Sequence, residues 1–180
     1  HGNQDAIRGT RLMQAARRRL GCALALLAFA PVTASAQPVA TGSDLDLIAA
    51  AHAGDIATVR KLLAGGASVK ARDDGGRTAL LAATQGNRVD VARALIQAGA
   101  DVNAQDNQRD SPFLLAGASG RTEILRLTLQ RGANLKSTNR YGGTALIPAC
   151  HYGHVDTVRE LLKTDIDVNH VNNLGWTALL

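Results

Sequence analysis

Along this chain apolar residues fall in short bursts separated by glycine and polar turns, and the bursts recur at a fixed interval. Thr144 to Gly153 reads TALIPACHYG, SPFLLAGASG (Ser111 to Gly120) and TALLAATQGN (Thr78 to Asn87) carry the same pattern upstream, and TALL (Thr177 to Leu180) begins it again. The starts at 78, 111, 144 and 177 lie 33 residues apart. Leu45 to Gly54 keeps the apolar pattern one period earlier, without the opening threonine. A second marker runs in register with the first: Gly54, Asn87, Gly120 and Gly153, followed twelve residues later by Gly66, Gly99, Gly132 and Asp165. Self-similarity at this period is the mark of a stacked repeat array. It predicts four nearly complete repeats, at 43–73, 74–106, 107–139 and 140–172, and the opening of a fifth at 173–180.

Each period predicts two short helices. In the first repeat, Ser43 with Asp46 fits a capping box, which starts a helix near Asp44 that runs to about His52 and ends at Gly54. Ile56, Val59, Leu62 and Leu63 then recur at three- and four-residue spacing, placing them on one face of a second helix. Thr78 is a suitable N-cap for the next pair, with Leu80, Leu81 and Ala83 facing the array. Val89, Val91, Ala92, Leu95 and Ile96 follow, and Arg88, Asp90, Arg93 and Gln97 lie outside. Asn87 stands at a glycine position, which asparagine tolerates because it visits the left-handed region. Ser111-Pro112 combines a capping hydroxyl with a proline that loses no hydrogen bond at the first helical position. Thr128 replaces a leucine and predicts a local weakness. Pro148, about the fourth residue after a Thr144 cap, falls where donors are unbonded anyway, so little or no break is expected. Val155, Val158, Leu161 and Leu162 form the apolar face of the last second helix.

Only 3% of the residues are aromatic, which suits thin layers of Leu, Val, Ile and Ala better than one deep centre. Residues 13–36 are different in kind. Arg17, Arg18 and Arg19 precede the apolar run Leu20 to Ala30, Pro31 interrupts it, and Ala34-Ser35-Ala36 offers a small-residue cleavage site. That is a three-part secretory signal, and its apolar run falls well short of the roughly 20 residues that span a bilayer. Cys22 follows the arginines too closely for a lipid-attachment signal. Residues 1–12 precede the only methionine, Met13, and read as upstream sequence; 37–42 is a short lead-in.

Export changes the charge argument. The formal net charge of +5 includes five arginines before residue 37 against Asp5 alone, so residues 37–180 carry 15 basic and 14 acidic side chains, a net of +1. Polynucleotide affinity scales with the phosphates neutralised, so nucleic acid is not the expected ligand. Cys150 is the one cysteine after Ala36 and stands where other repeats have Ala51, Thr84 and Gly117, which predicts a small buried thiol and a fold held by packing.

With these residues in view, the chain resembles the ankyrin repeat family. Gly142 to Ala149 gives G-x-T-x-L-x-x-A, followed by GHVDTVRELL (Gly153 to Leu162) and DVN (Asp167 to Asn169); GRTALLAA (Gly76 to Ala83) and ALIQAGADVNAQD (Ala94 to Asp106) match as well. Arg109 replaces the glycine seen as Gly76, Gly142 and Gly175, and Leu81, Leu114 and Ile147 stand where the family commonly has His. PACHYGHVDTV and DVNHVNNLGWTALL are similar to a group of bacterial exported ankyrin proteins. The resemblance implies an all-α solenoid of helix-turn-helix units with projecting hairpin loops, which binds protein ligands through loop tips and the concave first-helix surface; from the residues themselves, no cofactor is expected.

Catalysis needs a nucleophile, acid or base held in a recess with a partner. His151 and His154 straddle a turn and are not expected to share a metal. Asp73-Asp74 and Asp165 with Asp167 lie in loops and read as turn residues. The glycines belong to repeat turns, not a phosphate loop. What packing leaves free is a surface: Asp74, Arg77, Gln108, Arg109, Asp110, Arg140, Tyr141, His151, Tyr152 and Trp176. In a regular solenoid Tyr141, Tyr152 and Trp176 gather on one side of the C-terminal half, and aromatics with arginine are enriched at binding centres.

The leading expectation is therefore a non-enzymatic protein-interaction scaffold in the periplasm, or secreted. Its partner is an unidentified protein, it has no stable membrane insertion after cleavage, and it is monomeric at full length. The alternatives are an array serving an envelope or oxidative-stress enzyme, and a self-associating structural protein.

Overall fold

The computed structural model describes residues 41–179. The export signal at 13–36 and the upstream stretch 1–12 lie outside the described residues. Eight helices are present among the described residues, and no strand. They are α1 (Gly42–Ala53), α2 (Ile56–Ala64), α3 (Ala79–Gln85), α4 (Val89–Gln97), α5 (Pro112–Ala118), α6 (Thr122–Gln130), α7 (Leu146–His151) and α8 (Val155–Leu161). Each odd-numbered helix packs on its even-numbered partner and on the next odd one, and each even one packs on the next even one. The result is two parallel rows of short helices with one continuous core between them.

That core is built from equivalent positions. Leu47, Leu80 and Phe113 are fully buried and Leu146 nearly so, so one slot is filled four times with side chains of different shape. Burying a side chain of this size contributes about 1.5–3 kcal/mol. In the even row Val59, Ala92 and Leu125 are fully buried, while their counterpart Val158 is only partly covered. Val155 and Leu162, expected on the apolar face of α8, are exposed. No further helix pair covers that face among the described residues.

The helix starts follow two expectations and depart from two others. Thr78 and Ser111 cap α3 and α5 by accepting from Leu81 N and Leu114 N at 3.3 and 3.2 Å, and Pro112 occupies the first turn. The capping box of α1, however, is Thr41 with Asp44, and the helix opens at Gly42. Ser43 and Asp46 offer the same spacing, but Asp44 Oδ1 also accepts from Ser68 N at 2.7 Å, 24 residues away. That tertiary bond selects between the two boxes.

Thr144 likewise does not cap its helix. In α3 and α5 the fourth residue after the cap donates its N–H to the cap carbonyl, as Ala82 does to Thr78 O at 3.0 Å and Leu115 to Ser111 O at 2.9 Å. Pro148 has no N–H for that bond. The helix begins at Leu146 from Ala145, and the Thr144 hydroxyl is buried without a partner. Pro148 therefore shifts the start of the helix.

The second helices show a parallel contrast at their ends. Ala67 N, Ala100 N and Ala133 N reach back to Leu62 O, Leu95 O and Thr128 O at 3.0–3.1 Å, closing α2, α4 and α6. Gly66, Gly99 and Gly132, with φ of 77–89°, make that turn possible. Asp165 does not take the left-handed conformation. Here α8 ends at Leu161, and Thr164 N bonds Leu161 O at 3.0 Å instead. Thr128, at a position otherwise held by leucine, is fully buried and donates its hydroxyl to Leu125 O at 2.7 Å. Cys150 is half-buried, less covered than expected, and burial pushes its thiol pKa up.

Three outcomes follow for stability. The N–H of Ser68, then the N–H and hydroxyl of Thr41, hold the Asp44 carboxyl below the usual carboxylate range. Since its folded pKa lies below its unfolded one, its contribution is present above about pH 4 and is lost as pH falls through the folded value. Asp44→Ala will lower stability by about 0.5–2 kcal/mol at neutral pH, and circular-dichroism melts of variant and parent will converge on acidification. In urea unfolding, Thr78→Val will cost about 1 kcal/mol as a lost cap. Thr144→Val will be neutral or stabilising, because it removes a buried hydroxyl that no group satisfies.

Candidate functional site

The loops between repeats are four copies of one hairpin, at 73–77, 106–110, 139–143 and 172–176. In each, the first residue is Asp or Asn: Asp73, Asp106, Asn139 and Asn172. Its side-chain oxygen accepts from the backbone N–H groups two and four residues on, all at 2.8–3.1 Å. Its own N–H donates to the carbonyl four residues on. The fourth residue of each loop is left-handed, at Gly76, Arg109, Gly142 and Gly175.

Adjacent hairpins are tied by one backbone bond per step. Asn107 N donates to Gly75 O, Arg140 N to Gln108 O and Asn173 N to Tyr141 O, at 3.0–3.2 Å. Side chains add a second tie at the same interval. Arg72 Nη1 bridges Gly76 O and Gln105 O, and Gln105 Nε2 bridges Arg109 O and Thr138 O. A free side chain on one loop therefore stands beside its counterpart on the next, on a fixed backbone.

This frame brings five of the proposed residues together. Asp110, Tyr141, His151, Tyr152 and Trp176 line one cleft of about 290 Å³ between the loops and the first-helix row. Leu115 and Ala118 from α5 and Ile147 and Pro148 from α7 also line it. His151, at the end of α7, stacks on Trp176 with centroids 5.3 Å apart and meets Tyr152 edge-on at 4.9 Å. Tyr141, Tyr152 and Trp176 are 48%, 66% and 45% exposed, too open to be core residues. Arg140 lies over the Tyr141 ring at 4.7 Å and donates to its hydroxyl at 2.6 Å, so it buttresses one wall without lining the cleft.

The other proposed residues lie elsewhere. Arg77 is engaged by its own loop and the end of α3, bonding Asp73 Oδ2 at 2.7 Å and Gln85 Oε1 at 3.2 Å. Asp74 and Gln108 are exposed, and each lends its backbone carbonyl to the next loop. Arg109 serves the turn through its backbone, with φ of 64° and its N–H on Asp106 O. Asn139, Asn172 and Leu174 also line the cleft and were not singled out from sequence. The Asp/Asn recurrence at 73, 106, 139 and 172 was the available signal for the first two.

Charge in the cleft is carried by Asp110. Burial, and after it the neighbouring Asp106, push its carboxyl pKa up, against a smaller opposing effect of Arg140. Asp106 spends its carboxylate on the turn, whereas the Asp110 carboxyl makes no hydrogen bond or ion pair among the described residues.

The chain matches a family model described as ankyrin repeats (3 copies) over residues 12–106, 47–139 and 113–180. It is similar to the crystal structure of an ankyrin repeat domain from Acinetobacter baumannii AYE, with 57% sequence identity and a TM-score of 0.71, covering 74% of this chain and 68% of that one. Against the curated proteins no match is found.

The loop geometry makes one measurable demand. A non-glycine residue held left-handed costs about 1–2 kcal/mol, partly offset by the backbone entropy a glycine loses on folding, about 0.5–1 kcal/mol. Arg109→Gly will therefore raise the urea midpoint slightly, by no more than about 1 kcal/mol in stability. Arg109→Val, which is β-branched, will lower it.

Proposed function

The chain belongs to the ankyrin repeat family, and on that premise we propose that it is an exported bacterial scaffold that docks a protein partner in the cleft between Tyr141 and Trp176. Ankyrin repeat arrays are generally protein-interaction modules and typically non-enzymatic. The observation that carries the reading here is the clustering of three exposed aromatics with His151 over a frame whose packing does not require them. Such side chains provide large contact area at little entropic cost on a pre-formed surface. The charge stretch, apolar run and small-residue site at 13–36 support export, with the periplasm as destination and cleavage after Ala36.

The intact mature chain, immobilised and exposed to periplasmic extract, will capture a discrete protein. The Tyr141→Ala/Tyr152→Ala/Trp176→Ala variant will lose it while keeping its helical spectrum, with at least one substitution costing about 2 kcal/mol of binding. Equal capture by both forms, or none by the parent, would count against the cleft as the docking site.

A further inference from the structure

The cleft also specifies what part of a partner enters it. Acidic side chains among the described residues fall into two groups. Some are engaged: Asp44, Asp55 and Asp73 accept hydrogen bonds, Glu123, Asp156 and Glu160 pair with Arg or Lys, and Asp101, Asp106 and Asp167 pin turns. Asp46, Asp74, Asp90 and Asp165 are unengaged but exposed, where water serves them. Asp110 alone is partly buried, in the wall of the cleft, and has no polar partner among the described residues. A carboxylate in that position is incompletely solvated and gains most from an incoming cation.

The surrounding groups narrow the choice of cation. Trp176, His151, Tyr141 and Tyr152 present ring surface along the same cleft. A guanidinium stacks on aromatic faces and offers a planar fork to a carboxylate, where an ammonium is a compact, strongly hydrated point charge. The nearest internal candidate, Arg140, is already held on the Tyr141 ring and hydroxyl. Given the docking role of this cleft, we propose that it receives an arginine side chain of the partner, with its guanidinium between the aromatic wall and the Asp110 carboxylate.

Trp176 is the only tryptophan in the chain, so its fluorescence reports directly from the cleft. The chain is titrated with the peptide acetyl-Gly-Gly-Arg-Gly-Gly-amide and with the same peptide carrying citrulline, which keeps the shape and loses the charge. The arginine peptide will change the emission saturably and bind about tenfold or more tighter than the citrulline peptide. Asp110→Asn will abolish that discrimination without moving the melting temperature downward. Equal binding of the two peptides, no saturable change with either, or discrimination that survives in Asp110→Asn would each overturn the assignment. Partner capture that depends on the aromatics, found together with any of those results, would leave the docking reading standing and remove only the arginine.

Discussion

Every helix in the described part of this molecule is too short to persist alone. The longest has twelve residues and the shortest six, whereas an isolated helix needs about 12–15 to be even marginal in water. What makes them helices is burial of one face against the pair before and the pair after. Stacking at a fixed interval is therefore the condition under which any of the secondary structure exists, and the 33-residue period is its record in sequence. Phe113 in the slot occupied by Leu47, Leu80 and Leu146 shows the tolerance of that condition. The slot fixes apolar volume and leaves its shape to local repacking.

The loops depend on the same interval through hydrogen bonds. Each hairpin is closed by an Asp or Asn at its first position, and each of the last three donates one backbone N–H to the hairpin before it. Neither device involves the side chains at the remaining loop positions. Those positions are not fixed by the turn itself and are consequently free to carry recognition. Asp110 and Trp176 occupy equivalent loop positions, as do Gln108 and Tyr141, so a surface of mixed chemistry is laid out on one repeated backbone. Arrays of this kind can change ligand without changing fold.

Much of this was legible because the rules involved are local or periodic. Ser111-Pro112 caps a helix by chemistry confined to three residues, and Asn87, at φ 53°, takes the left-handed place predicted for it. The misreadings share a cause. Thr41/Asp44 and Ser43/Asp46 are equivalent within their own segment, and Ser68, beyond the next helix, decides between them. The bond that Pro148 cannot make costs little by itself, but it is the one that would anchor the helix to Thr144. Asp165 marks the same limit, since its side chain reveals nothing of how the chain closes α8. At the cleft, the convergence of Tyr141, Tyr152 and Trp176 followed from the period. The partial burial of Asp110 without a partner is a property of three loops and two helices together, and no single stretch of sequence contains it.

The cleft draws its walls from successive repeats, so its shape is only as fixed as the contacts between them. On the far side it rests on the loop from Asn172 to Trp176, held by Asn173 N on Tyr141 O at 3.0 Å, His170 Nε2 on Gly142 O at 2.7 Å and the stacking of Trp176 on His151. In a linear array stability is a sum of neighbour contacts, so the cleft is as firm as the contacts between the repeats that wall it. Binding to the cleft therefore couples to those contacts. A ligand bridging Asp110 in one loop and Trp176 two loops away stabilises the closed arrangement by the difference between its affinities for the closed and open forms.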